Sequence, residues 1–364
     1  MTEEYLTISH LSVAMTTTEV DKTHTTDEKG ITSSYSFDAD FYFKLAVVFM
    51  GIVGVAGNGL VLYALIASKQ HKKHALIVNQ NALDLFSSFF LVLVYALNLC
   101  NLRLSGDLGY WLCMALFSEY LIWLGINGST INLAAITIDR YLKVVHPIWS
   151  RKHIGRRVIY FGMFLAWALS AIYNTILLPL TSDVINGECL AFVLFPSELH
   201  LRAYDIWYNL SFYVIIIVIF IFCYGRILVA IRRQASVMAA HGGPASNTAQ
   251  AQSNQIQSNV IKTMILVCAF FAVAWLPINI YYMLTGPSLT VFDRYYYAFM
   301  VVAMIYVSTN PFIYATKFDA VRKFLVGMLP CKKNAVQPPE MAMATPRTIA
   351  ILATTAMPGS SGHR

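Results

Sequence analysis

The stretch AAITIDRYLKVVHP, Ala134 to Pro147, sets an Asp-Arg-Tyr triplet at the end of a long apolar run and just before a proline. From Leu112 to Ile138 the chain carries a single charge, Glu119. Roughly 20 apolar residues are enough for a helix to cross the hydrocarbon core of a bilayer, so this run is long enough to span one. A charged pair beside lipid is costly and is by default a functional-site signal. The plainer alternative is an interfacial pair whose charges snorkel to water.

The run is one of seven. Of the 364 residues 57% are hydrophobic and 12% charged, about half the charge of an ordinary soluble domain. Apolar segments recur at Leu45–Ile66, Ala75–Leu99, Leu112–Ile138, Val158–Leu178, Ile206–Ile231, Val260–Leu284 and Tyr295–Ala315. A helix satisfies its own backbone hydrogen bonds in lipid, so the fold class is an all-α membrane bundle of seven helices. The expected organisation is a disordered extracellular segment over residues 1–43, a helical domain over 44–330 and a disordered cytoplasmic tail over 331–364.

Basic residues set the orientation, because Lys and Arg of short loops are retained in the cytoplasm. They collect in the first, third and fifth connections (Lys69, Lys72, Lys73; Lys143, Arg151, Lys152, Arg156, Arg157; Arg232, Arg233) and after the seventh helix (Lys317, Arg322, Lys323, Lys332, Lys333). The opening segment is acidic and Thr-rich. The N-terminus is therefore expected outside a plasma membrane and the C-terminus inside, with the first helix serving as signal anchor in place of a cleaved leader. The net charge of +7 reads as this bias plus attraction to anionic inner-leaflet lipid, not as nucleic-acid binding. Sequons at Asn127 and Asn209 fall within predicted helices, where glycosylation is not expected.

Further marks lie on the other helices. The first holds GNGLVLY with Asn58, and the second NQNALDLF with Asp84. A lone carboxylate amid so many apolar residues calls for internal solvation. The fourth holds Trp167, the sixth FAVAWLP with Phe271, Trp275 and Pro277, and the seventh NPFIYATKF with Asn310, Pro311 and Tyr314. Pro277 removes a backbone donor and permits a kink. After the seventh helix KFDAVRKFL sets bases opposite Phe318, Val321, Phe324 and Leu325, the pattern of a short helix on a membrane surface.

Jointly these motifs resemble the rhodopsin-like, class A, G-protein-coupled receptors, over roughly Phe41 to Lys333. The resemblance implies that Asp139 holds Arg140 at rest, with Tyr141 completing the motif, and that Arg140 is released to a heterotrimeric G protein when the sixth helix swings outward. It implies an allosteric sodium ion at Asp84 helped by Ser129, with Asn58 in the same polar core; a structural, protonated carboxyl is the alternative. Phe271, Trp275 and Pro277 become the activation switch, and Tyr224 pairs with Tyr314 through water in the active state. Cys113 and Cys189 both lie on the expected outer side, in an oxidising compartment, and the resemblance implies a disulfide between them. Cys100, Cys223 and Cys268 read as buried small hydrophobes. Cys331, beside two lysines, is a palmitoylation candidate or a free surface thiol.

The pattern departs from the family in places. Cys113 and Arg140 are 27 positions apart, about two more than the family's spacing. The fifth helix lacks its usual proline and is expected to be straighter. The sixth starts in QSNQIQSNVIK, with no acid to hold Arg140, which predicts ligand-independent activity. Where the family's amine receptors carry an aspartate stand Tyr120 or Ile122, by the two ways of counting, with Glu119 adjacent. Where opsins carry their retinal lysine stands Met304. A retinal cofactor is thus not expected, and the favoured ligand is a peptide or other non-amine molecule, with an amine or lipid ligand as alternative. Candidate pocket residues are Glu119, Tyr120, Trp123, Trp275, Asn279 and Tyr282. Alternating apolar residues around Cys189 suggest a hairpin over the bundle's mouth. Tyr281, Tyr282, Tyr295, Tyr296 and Tyr297 read as an interfacial aromatic belt or a binding surface.

No nucleophile with its base and no metal-ligand cluster is visible, which argues against an enzyme. A transporter would be expected to show inverted repeats, and none is found. A non-signalling receptor or heteromer partner is a third reading, disfavoured by the intact motifs. The segment between helices five and six, rich in Ala, Ser, Gln and Gly, reads as a flexible linker. Thr345, Thr348, Thr354, Thr355, Ser360 and Ser361 are candidate phosphorylation sites for arrestin recruitment, or an unmodified linker.

Overall fold

The computed structural model describes residues 28–194, 196–240, 248–285 and 294–328. The chain divides into two compact units, Met1–Leu325 and Val326–Arg364; of the second, only the end of one helix is described. Among the described residues, seven helical segments are long and apolar enough to cross a membrane: Ala39–Ala67, Ala75–Leu99, Gly106–Val145, Arg156–Thr181, Glu198–Arg233, Ile261–Thr285 and Tyr295–Lys317. These are the first to seventh spans.

The third span is the axis of the bundle. Its apolar window is 72% buried, against 24% in the fourth and 28% in the fifth. It packs against the second, fourth and fifth, while the first packs on the second and seventh, and the sixth on the seventh. Close approach of the second and third depends on a missing side chain. A Cβ at Gly125 would stand 2.6 Å from the Ser87 Cβ and 3.0 Å from the Leu83 carbonyl oxygen, the small-residue contact by which membrane helices come together.

Three local features differ from the sequence reading. The first helix begins at Glu28, so residues 28–43, read as disordered, are helical in backbone. The fifth span is not a plain straight helix in the absence of proline: a π-helical turn, Leu210–Val214, separates Glu198–Asn209 from Ile215–Ala240. The third span is likewise composite, with Gly106–Leu112, a π-helical turn at Cys113–Phe117, a joint at Ser118 and Glu119, and then Tyr120–Val145. Glu119 has φ +62°, a left-handed conformation uncommon for a residue with a side chain. The wider turn and the joint lie within the long interval between Cys113 and Arg140, and a π-helical turn uses more residues than an α-helical one.

The third span ends where Pro147 opens the next short helix, Pro147–His153, a position at which its missing N–H costs nothing. At the opposite end of the bundle, β1 (Asp183–Ile185) and β2 (Glu188–Leu190) pair antiparallel, Val184 opposite Cys189. Their turn is Asn186-Gly187, with φ of 54° and 82°, the two positive values that a two-residue hairpin turn demands. The disulfide Cys113–Cys189 ties this hairpin to the third span. The helix Asp319–Met328 follows the seventh span; Phe318 and Val321 are buried and Phe324 packs edge-on to Tyr63, the apolar face that the sequence pattern predicts.

Candidate functional site

The polar positions of the spans do not pair off separately; they join. Ser129 donates from its hydroxyl to Asp84 Oδ1 at 2.6 Å, and Asn310 Nδ2 donates to Asp84 Oδ2 at 3.0 Å. Ser129 accepts in turn from Gln80 Nε2. Asn132 Nδ2 reaches Gln80 Oε1 at 2.8 Å, Asn79 Nδ2 reaches Asn132 Oδ1 at 2.9 Å, and Trp167 Nε1 reaches Asn79 Oδ1 at 3.0 Å. One chain of hydrogen bonds therefore runs from the fourth span through the second and third to the seventh. Leaving any of these buried groups unpaired would cost about 1–3 kcal/mol.

The sequence reading names Asp84, Ser129, Trp167 and Asn310, and the structure brings all four into this network. It misses Asn79, Gln80 and Asn132; the density of amides in NQN, inside an apolar run, was the available signal. Asn58 is fully buried and gives its Nδ2 to the carbonyls of Gly54 at 3.0 Å and Val307 at 3.5 Å. At Asp84 the oxygens are the carboxylate and the Ser129 hydroxyl, and Asn310, whose Nδ2 holds the carboxylate, has its Oδ1 buried without a hydrogen-bond partner. Such a set fits a hard cation such as sodium.

At the Asp139 end the ion pairing is shared. Arg140 Nε lies 3.8 Å from Asp139 Oδ2, whereas Lys143 Nζ lies 2.7 Å from Oδ1 and 2.8 Å from Oδ2. Lys143, one turn along the same helix, is the residue that sequence reasoning treats only as a topological charge. Tyr141 meets His146, hydroxyl to Nε2 at 3.2 Å. Nearby, His74 packs edge-on to Phe318 at 4.9 Å, and burial together with the positive charges of Arg140, Lys73 and Lys143 pushes its imidazole down to about 4. Tyr224 does not meet Tyr314 directly: its hydroxyl lies 3.3 Å from Thr137 Oγ1 and 3.7 Å from Cys268 Sγ.

The aromatic core sits between these two regions. Phe271 stacks among Tyr213, Phe220 and Tyr306, and Trp275 above it faces Trp123 at 6.1 Å. Pro277 lies inside the sixth helix and Pro311 inside the seventh. A cavity of about 20 Å³ lies among Asn127, Thr130, Tyr208, Phe271, Trp275 and Asn279, room for about one water molecule. Asn279 gives its amide to the Trp275 carbonyl at 2.7 Å. Glu119 accepts from Tyr95 at 2.7 Å and from Trp123 at 3.0 Å. Tyr282 packs against Tyr296 and Tyr281, inside the bundle end, while Tyr295 is exposed.

Tyr120 meets the fourth span, where its hydroxyl accepts from Thr175 at 3.0 Å. One sequence expectation is corrected here. Cys100 is exposed, since it caps the second span in a turn and does not lie within it; Cys223 and Cys268 are buried. Asn127 and Asn209 are buried in helices. Cys331 and the tail's serines and threonines lie outside the described residues.

A polar network shared among spans, an aromatic core beneath a cavity and a charged motif at the far end make a bundle suited to relaying a change between its ends. Comparison with known proteins agrees. The chain is 24% identical to the tachykinin-like peptides receptor 86C of Drosophila melanogaster, over 79% of this chain and 58% of that protein. It is 28% identical to cat melanopsin, over 80% and 61%, and 24% identical to rat galanin receptor type 1, over 79% and 83%. The chain thus spans less than two thirds of the first two relatives' length. The family model of the 7 transmembrane receptors (rhodopsin family) matches residues 57–314, the region holding the Asp84 network, the switch aromatics and the Asp139 motif. The chain belongs to this receptor family and is not an enzyme.

Proposed function

We propose that this chain is a plasma-membrane receptor for an extracellular peptide that activates heterotrimeric G proteins through outward movement of the sixth span. The observation that carries the reading is the bonding of Asp84 to the third and seventh spans at once, because a shift of either span must remake those bonds. The peptide part is supported by two of the similar receptors being named for peptides, tachykinin-like peptides and galanin. The likeness to melanopsin favours a retinal pigment as a second reading, but Met304 stands at the position of the opsin lysine, and Lys317, the first lysine of the seventh span, comes after Tyr314. In this proposal the hairpin end faces outside, the Asp139 end faces the cytoplasm, sodium binds at Asp84 in the resting state, and arrestin engages the tail.

The test is nucleotide exchange by a panel of purified G proteins on membranes bearing the chain, beside Arg140→Ala, without added ligand. Exchange above control that disappears in the variant is the expected result. Equal exchange in both would overturn the role of Arg140, and no exchange from any G protein would overturn the ligand-independent activity that the sixth span predicts.

A further inference from the structure

The sixth helix has no acid with which Arg140 could hold it shut. Thr248–Thr285 contains neither Asp nor Glu, and the ion pair of Arg140 is with its neighbour Asp139. Uncharged contacts reach the segment before Pro277 from other spans instead. Thr263 Oγ1 donates to the Lys317 carbonyl at 3.3 Å, and Cys268 Sγ lies 3.7 Å from the Tyr224 hydroxyl and from Thr137 Oγ1. The Tyr213 hydroxyl donates to the Ala272 carbonyl at 2.8 Å. That bond has ideal length for an O–H donor, whereas the Thr263 contact is long.

Tyr213 belongs to the π-helical turn Leu210–Val214 of the fifth span, and single turns of this kind are frequent at functional sites. The helix leading into it has a fixed base. Tyr208 donates to Asn127 Oδ1 at 2.8 Å and Asn127 Nδ2 to Asn174 Oδ1 at 3.0 Å, which ties the fifth span to the third and fourth. The Tyr213 ring also packs on Phe271 at 6.2 Å, so one side chain touches two consecutive residues of the sixth helix. The acceptor sits close to the kink: Ala272 adjoins Val273, whose carbonyl is the one that Pro277 deprives of its helical donor. In lipid, backbone loosened by a proline is satisfied by neighbouring helices. Five residues of helix rise about 7.5 Å, so a tilt of about 10° about the proline, away from the fifth span, moves the Ala272 carbonyl by about 1 Å and breaks the bond.

We propose that Tyr213 is the positioning residue that holds the sixth helix closed at rest, its hydroxyl on the Ala272 carbonyl serving where an ion pair to Arg140 is missing. The bond parts as the helix tilts about Pro277, while the Tyr213 ring stays against Phe271. A neutral hydrogen bond is about half as strong as a charge-assisted one, so the helix is held lightly. The proposal rests on the receptor reading above and specifies how its resting state is kept.

The test measures helix position directly, on the purified full chain in nanodiscs without ligand or G protein. Spin labels at Arg157→Cys and Lys262→Cys, both exposed positions on the fourth and sixth spans, report the distance by double electron–electron resonance, with Cys100→Ser and Cys331→Ser removing the other accessible thiols. Tyr213→Phe, which deletes only the hydroxyl, is expected to raise the ratio of long to short distances about 5-fold, the weight of one hydrogen bond. An unchanged ratio would overturn the proposal. So would a rise in Tyr213→Leu with none in Tyr213→Phe, which would assign closure to the ring, and so would a uniform broadening with no second distance, which would make the role structural only. Should Tyr213→Phe fail to fold, 3,5-difluorotyrosine at position 213, a stronger donor, decides: the ratio is expected to fall below that of the unaltered chain, and an equal or higher ratio would overturn the proposal. Opening is read without nucleotide exchange, so a chain that opens in Tyr213→Phe but drives no G protein would refute the receptor reading and leave this assignment standing.

Discussion

Lys143 Nζ bridges both oxygens of the Asp139 carboxylate, at 2.7 and 2.8 Å, while the neighbouring Arg140 stands off at 3.8 Å. The two cations compete for one acid, and the lysine holds the nearer position. Arg140 is thereby less firmly retained than an isolated Asp-Arg pair would keep it, and its Nε is buried without a hydrogen-bond partner. Lys143 is partly solvated and four residues from Asp139, and such helix pairs contribute about 0.3–0.5 kcal/mol.

Removing the competitor should tighten the pair that remains. Lys143→Met is expected to lower ligand-independent nucleotide exchange roughly 2-fold, the factor that ~0.5 kcal/mol represents. In an Asp139→Asn background the same substitution should have no effect. Exchange assays on the two single variants and the double variant close the cycle.

Asp84 accepts from two buried donors on different spans, so its truncation strands both. Asp84→Ala should cost about 2–6 kcal/mol, at 1–3 kcal/mol per stranded group, and lower the melting temperature. Asp84→Asn, which keeps one acceptor oxygen, should cost less. Replacing sodium chloride by choline chloride should lower the melting temperature of the unaltered chain and leave that of Asp84→Asn unmoved; equal responses would count against a sodium site.

His74 gives stability an acid dependence. Its imidazole is held at about 4 in the folded chain, against 6.5 for the free group, so between those values the unfolded chain binds the extra proton. Stability is then retained above about pH 6.5 and lost as the pH falls toward 4. His74→Phe, which keeps a ring against Phe318, should flatten that part of a melting-temperature profile measured from pH 7.5 to 5.

The disulfide closes a loop with a sequence separation of 76, for which chain entropy allows up to about 4 kcal/mol. Cys113→Ser with Cys189→Ser should lower the melting temperature and release the hairpin. Hydrogen exchange of Val184 and Cys189, paired across β1 and β2, reads that release directly.

Seven spans, their motifs and the hairpin over Cys189 were legible in the chain, because length against bilayer thickness, apolar content and turn chemistry are local properties. Asp84, Ser129 and Asn310 could be named one by one for the same reason: each is a polar residue in an apolar run. What tertiary structure alone decided is which groups meet. The π-helical turn at Cys113–Phe117 and the left-handed Glu119 set the rotation of the third span, sending Tyr120 toward Thr175 and Glu119 toward Tyr95 and Trp123. The approach at Gly125 set the depth at which the second and third spans mesh, and so which amides of NQN face Asn132 and Ser129. A few tens of degrees of helix rotation or one residue of axial shift exchanges such partners while leaving composition and periodicity unchanged. For that reason the membrane architecture can be read along the chain, whereas the polar network, the competition at Asp139 and the hydrogen bonds of Glu119 to Tyr95 and Trp123 are properties of the packed bundle.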